Sequence, residues 1–151
     1  MSRIPAEWER QSGVQLTWPH EHTDWAYMLK EVTDCYVKLA YNIATHTKLL
    51  IVSPETKSVR NLLNNKLPAQ VVENITFFNC PTNDTWARDH GVITCAQPDG
   101  NLQLLDFRFN GWGGKFEASL DNKITKALYD AHILKGNYVD HLDFELEGGS
   151  I

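Results

Sequence analysis

The sequence predicts an α/β fold with at least one parallel strand pair. Leu49-Leu50-Ile51-Val52 and Ile75-Thr76-Phe77-Phe78 are short, β-branched or aromatic runs of the kind that form buried strands. Between them, Ser53-Pro54-Glu55 opens a segment that places Val59, Leu62 and Leu63 on one helical face, with Pro54 suited to the first helical position. A helix between two such strands is a crossover, and crossovers join parallel neighbours. Farther on, residues 91–95 and 102–107 flank Pro98-Asp99-Gly100-Asn101, a hairpin-turn signal that adds an antiparallel pair.

The remaining elements follow from periodicity. Thr23 or Asp24 caps a long helix whose stripe runs through Trp25, Met28, Leu29, Val32, Tyr36, Leu39 and Ile43. A third helix is expected from about Leu120 to Ile133, with Ile124, Ala127, Leu128 and Ala131 inward, and a last strand from Leu142 to Glu147. Two blocks of similar element order, about 46–95 and 100–149, succeed each other without a linker.

Composition narrows the function. The 151 residues carry a net charge of −5 with no block of like charges, so no nucleic-acid partner is expected, because phosphate binding needs clustered Lys and Arg. Such a chain suits a cationic ligand. No apolar run is long enough to span a membrane, and Met1–Glu7 has no signal-peptide core. Cys35, Cys80 and Cys95 are widely spaced and odd in number, which argues against a disulfide framework and for a reducing cytoplasm. Five tryptophans are many for this length, and some of the rings are expected to line a groove.

Three clusters carry chemistry. Asn83-Asp84-Thr85-Trp86-Ala87-Arg88-Asp89-His90-Gly91 lies in a strand-end loop, the usual place for α/β ligand sites. As a purely structural segment it is a polar turn whose acids pair with Arg88 and cap amides. Asp106-Phe107-Arg108-Phe109-Asn110-Gly111-Trp112-Gly113-Gly114 sets three glycines around a Trp, so backbone and ring can both approach a ligand; otherwise it is a flexible surface loop. Glu145-Leu146-Glu147-Gly148-Gly149 presents an acid at a strand end, or merely ends a strand with a solvated Glu.

Trp86-Ala87-Arg88-Asp89-His90-Gly91, Asp106-Phe107-Arg108-Phe109-Asn110 with Trp112-Gly113-Gly114-Lys115, and Glu147-Gly148-Gly149 resemble, in this order, the motifs of agmatine deiminases and bacterial peptidyl-arginine deiminases. Pro5-Ala6-Glu7-Trp8, Trp18-Pro19 and Asp24-Trp25 are similar to that family's N-terminus, so the resemblance spans the whole chain. It implies a pentein fold, a five-bladed α/β propeller of ββαβ units. It also implies hydrolysis of a guanidinium to a ureido group with release of ammonia, by a cysteine nucleophile and a histidine, without metal or organic cofactor. By position Asp89 would clamp the guanidinium, Trp86 and Trp112 would wall the pocket, and Glu147 would orient the histidine or touch substrate.

The chemistry of the ligand agrees with those residue types. A guanidinium stays protonated, with a pKa above about 12. A carboxylate matches its planar fork with two parallel hydrogen bonds, and an aromatic wall adds about 0.5–2 kcal/mol. The family's Gly-His-acid motif and glycine-rich cysteine stretch have no counterpart within residues 1–151. The resemblance therefore implies a single domain's N-terminal portion, about two of the five blades. By itself it is expected to be inactive, and to self-associate or pair with the missing C-terminal half.

No local residue is a convincing nucleophile. Cys35 falls near the apolar stripe of the long helix and Cys95 in a strand, both as packing residues. Cys80, before Pro81, is the one expected near the pocket, and His90, beside Asp89, reads as structural because strand neighbours face opposite ways. His20-Glu21-His22 and His141-Leu142-Asp143 offer metal-ligand types without a recognised spacing. A glycoside hydrolase using Asp89 and Glu147, with sugars stacked on Trp86 and Trp112, is the enzyme alternative. A non-catalytic guanidinium-binding module is the third reading.

Overall fold

In the computed structural model, which describes residues 1–151, Val14–Thr17 (β1), Leu49–Ser53 (β2) and Ile75–Asn79 (β3) form an all-parallel sheet in the order β1-β2-β3. The parallel β2–β3 pair is the one expected from the crossover. β1 is a four-residue strand recognisable only through its partner, because Val14 pairs with Leu49 and Thr17 with Val52. The chain divides into two compact units, Arg10–Thr85 and Trp86–Ile151 joined by Met1–Glu9, rather than the blocks 46–95 and 100–149.

In the unit of residues 10–85, the long helix Leu29–His46 (α1) begins later than the sequence suggests. The preceding segment is held in tight turns instead. Thr23 donates through both its backbone N–H and its hydroxyl to His20 O, and Ala26–Met28 is a 3-10 turn. Ala40 and Ala44 are fully buried, with Tyr36, Val37 and Ile43 packed beside them, whereas Leu39 is 41% exposed and Cys35 is exposed. The buried face is thus turned from the expected stripe, and Cys35 is no packing residue. Thr56–Lys66 (α2) starts after Pro54, because Ser53 is still in β2 and its hydroxyl accepts the Glu55 N–H. Val59 and Leu63 close the core over Leu49 and Ile51. A short helix, Ala69–Val72 (α3), precedes β3.

The other unit contains Ile93–Ala96 (β4), Leu102–Arg108 (β5) and Asn137–Glu145 (β6) in the order β4-β5-β6. β4 and β5 form the expected antiparallel hairpin, and β5 and β6 are parallel. β6 starts five residues earlier than expected and stops short of Glu147. Two short helical segments flank the hairpin, Ala87–His90 (α4) before it and Gly111–Gly114 (α5) after it. The expected helix over 120–133 is a 3-10 turn at Asp121–Lys123 that runs into Ile124–Asp130 (α6). It ends early because His132 takes a left-handed φ of 58°. Ile124 and Leu128 are fully buried, but Ala131 is exposed and Thr125 takes an inward place.

Thr125 faces a buried acid. Asp106, 1% exposed on β5, accepts a hydrogen bond of 2.9 Å from the Tyr138 hydroxyl on β6 and another from Thr125. Burial outweighs these bonds and pushes its carboxyl up to about 6 from an ordinary 3.8, with Asp140 adding repulsion. The folded chain therefore holds this proton where the unfolded chain has released it, and stability falls as pH rises from about 4 to about 6. Asp106→Asn keeps the acceptor for Tyr138 and cannot ionise. Relative to the parent chain, it is expected to gain about 3 kcal/mol between pH 4 and pH 7. Urea melts of both chains across that range are the measurement, and a pH-independent difference would contradict it.

Candidate functional site

The site residues lie in the unit formed by residues 86–151 and 1–9. Trp86 leads into α4, where its carbonyl accepts the N–H groups of Asp89 (2.9 Å) and His90 (3.1 Å). That short helical turn lets Asp89 project while His90 goes inside. Asp89 is half-buried and accepts the N–H of Gly149; burial raises its pKa, with that bond and Arg88 opposing. His90 is 2% exposed, and burial holds its imidazole down to about 4, so it is neutral. His90 is buried by its place in a helical turn and not by strand alternation.

The glycine pair exists because of close approach. A Cβ on Gly148 would run into the backbone oxygen of Arg88, and one on Gly149 into Oδ1 of Asp89. Both glycines belong to a 3-10 turn, Gly148–Ser150, that follows Glu147. Glu147 starts this turn in extended conformation, and its carbonyl accepts both the N–H (3.1 Å) and the hydroxyl (2.8 Å) of Ser150. Asp89 and Glu147 are therefore tied to one turn, two residues apart along it.

The aromatic residues meet directly. Trp86 and Trp112 pack edge to face with ring centroids 5.1 Å apart, and Trp112 makes like contacts with Phe109 (5.0 Å) and Phe116 (5.4 Å). Trp112 also borders a cavity of about 420 Å³ whose wall includes Arg108, Asn110, Glu145, Glu147 and Ser150. Of the residues expected at the site, Trp112 and Glu147 line this cavity. Trp86 and Asp89 lie outside its lining: Trp86 touches Trp112, and Asp89 accepts the N–H of Gly149 beside Glu147 and Ser150.

Three residues there lie outside the expected set. Arg108 Nη2 contacts Glu145 Oε1 at 2.6 Å, and Asn110 Nδ2 donates to Glu145 Oε2 at 2.7 Å. The Asn110 bond, then Arg108, hold the Glu145 carboxyl below the usual range. They meet because β6 slips register. Phe107 pairs with His141 but Arg108 pairs with Glu145, so Leu142–Phe144 bulge out. Glu145 is the last residue of β6 and Glu147 lies two residues beyond the strand, and both border the cavity. The bulge that brings Arg108 to Glu145 has no signal in the sequence.

The other candidates sit in hydrogen-bonded or packed surroundings. Asp84 is buried and accepts the N–H groups of Thr85 (2.8 Å) and Asp24 (3.0 Å). Cys80 is 6% exposed, with its N–H on Ser53 O, and Cys95 is half-buried in β4. His20 Nε2 contacts the Thr82 hydroxyl at 2.9 Å, and His141 stacks on Phe107 at 4.9 Å. No helix is long and apolar enough to cross a membrane.

A profile of the Porphyromonas-type peptidyl-arginine deiminase family matches residues 3–151. A Selenomonas ruminantium protein provisionally named agmatine deiminase is 31% identical over 155 residues, covering 98% of this chain and 40% of its own length. A C. jejuni agmatine deiminase variant solved with substrate bound is 36% identical, with a TM-score of 0.85 over all of this chain and 42% of its own. The agmatine deiminase of Enterococcus faecalis is 27% identical, with a TM-score of 0.80 over 99% of this chain and 40% of its own. The chain thus spans about 40% of the length of the curated relatives it matches.

Proposed function

Because the chain belongs to the Porphyromonas-type peptidyl-arginine deiminase family, we propose that it carries the guanidinium-binding half of an agmatine deiminase-type site. The observation that supports this best is the joining of Asp89 and Glu147 on one turn, next to the Trp86–Trp112 pair. Acids held by one short turn and an aromatic wall are what a planar, permanently charged cation requires. Asp89 would accept the guanidinium N–H groups, the indoles would cover its face, and Glu147 would face the cavity as a second anionic acceptor. Holding the cation this way fixes the carbon that a nucleophile must reach.

In this reading the chain is the N-terminal portion of one domain, about two blades of a five-bladed propeller. In a chain of the relatives' length, a guanidine such as agmatine would become N-carbamoylputrescine and ammonia, a step toward putrescine. Peptidyl-arginine is the second substrate reading, favoured by the family profile. Supply of a thiolate and a histidine would fall to the remainder of the protein, with which the chain would pair in the cytoplasm.

The 151-residue chain is expected to bind agmatine in the millimolar range, about −4 kcal/mol, and to bind a diamine of equal charge more weakly. It is also expected to release no ammonia from agmatine. Calorimetry and an ammonia assay check both statements. Equal affinity for the two cations would remove the guanidinium reading, and turnover lost in Cys80→Ala would show that the chain has its own nucleophile.

A further inference from the structure

Trp112 has φ 56° and ψ 55°, the left-handed region that bulky side chains seldom enter. Such a conformation persists only where its surroundings over-determine it, and it gathers at ligand sites. A tryptophan wanted for packing alone has no need of it. The glycines on either side, Gly111, Gly113 and Gly114, all take positive φ as well, so the loop turns by a route closed to most residues.

Backbone bonds hold that turn, Gly114 N–H on the Asn110 carbonyl (2.8 Å) and Lys115 and Phe116 N–H on the Gly111 carbonyl, and one side chain ties it to the neighbouring strand. Asn110 Oδ1 accepts the N–H of Gly113 at 2.9 Å, while its Nδ2 donates to Glu145 at 2.7 Å. The amide orientation is fixed, since only the NH₂ end can face a carboxylate. Glu145 is held in turn by Arg108 across the β5–β6 register slip. Loop and strand end are thereby keyed together, and the keyed residue is the one whose ring borders the cavity.

We infer that Asn110 and Glu145 are positioning residues that hold Trp112 left-handed, so that its indole walls the cavity against a planar cation. The inference rests on the guanidinium reading for its ligand, but the conformational half stands apart from it. Glu145 acts through its hydrogen bond to Asn110 more than through its charge, and Arg108 leaves it little charge to offer. The Trp112 ring in turn depends on this bond for its edge contact with Trp86.

The test uses the 151-residue chain and two readouts, the far-UV exciton couplet of the Trp86–Trp112 pair and the affinity for agmatine. Trp112→Phe removes the couplet and identifies it. Asn110→Ala and Glu145→Ala are expected to flatten the couplet and weaken agmatine binding about tenfold, as the loss of a well-placed aromatic wall would. Glu145→Gln, whose one oxygen can still accept from Asn110 while its NH₂ turns toward Arg108 and gives up that bond, is expected to restore the couplet and most of the affinity. Glu145 is half exposed, so its variants report even if Asn110→Ala fails to fold. A couplet that survives both alanine variants overturns the inference. So does a Glu145→Gln chain that loses as much affinity as Glu145→Ala, for Glu145 would then act by charge. If the parent chain binds no agmatine, the guanidinium reading fails, and the couplet alone decides the positioning role.

Discussion

Asp89→Asn is expected to remove about 3–6 kcal/mol of guanidinium binding while leaving the fold intact, the sum of two charge-assisted hydrogen bonds at about 1.5–3 kcal/mol each. Asn keeps an oxygen for the Gly149 N–H, so the turn that carries Glu147 survives. What changes is the other end, where an NH₂ now meets a ligand that has only donors to offer. In a deiminase of the relatives' length carrying this segment, kcat/KM should fall about 10²–10⁴-fold, with a further loss because the carbon is no longer aimed. In the 151-residue chain, agmatine binding should become undetectable. Asp84→Asn is the control. That carboxylate is spent on the amides of Thr85 and Asp24, so its loss should lower stability by about 1–3 kcal/mol and leave the ligand alone. The opposite pattern in the two variants would mean that the binding carboxylate is Asp84.

Gly111→Ala should be the most destabilising small substitution in the Trp112 loop, by about 3 kcal/mol or more. Gly111 has φ +64°, and a Cβ there would strike the carbonyl of Phe116, a backbone atom that cannot swing aside. Strain in the left-handed region and a forced backbone shift each contribute about 1–3 kcal/mol. The carbonyl of Gly111 also accepts the N–H groups of Lys115 (3.0 Å) and Phe116 (3.1 Å), so displacement would loosen the loop on both sides. Gly100→Ala isolates the steric part. Gly100 has φ +85° with open space around it, so only the backbone strain of about 1–2 kcal/mol should appear. Urea melts of the two variants measure the difference, and equal losses would show that the Phe116 carbonyl yields.

Much of the architecture is legible in local pattern. The β2–α2–β3 crossover and the β4–β5 hairpin are both found, because each is written in apolar periodicity and turn residues within a few dozen positions. Errors fall where a distant partner overrides the local signal. α1 begins late because the turns around Thr23 bind their own carbonyls, and Asp84 takes the N–H of Asp24. Its buried face is decided by what lies against it, which is why Leu39 is exposed and Ala40 is not. β1 has too few residues to show alternation, and exists because β2 offers it a ladder.

The sequence by itself singled out the residues proposed to bear the chemistry: Trp86 and Asp89, Trp112 among its glycines, and Glu147 before a glycine pair. Their order along the chain, similar to that of a known family's motifs, picks them out, and their types are those a guanidinium needs, carboxylates and aromatic faces. Only the tertiary structure decided how these residues are held. The register slip that sets Glu145 beside Arg108 and the bond from Asn110 to Glu145 both depend on atoms far apart in the chain. So does the need for glycine at 148 and 149, which comes from Arg88 and Asp89 lying against that turn. A one-dimensional pattern records propensity, and propensity carries no account of what another strand will bring within 3 Å.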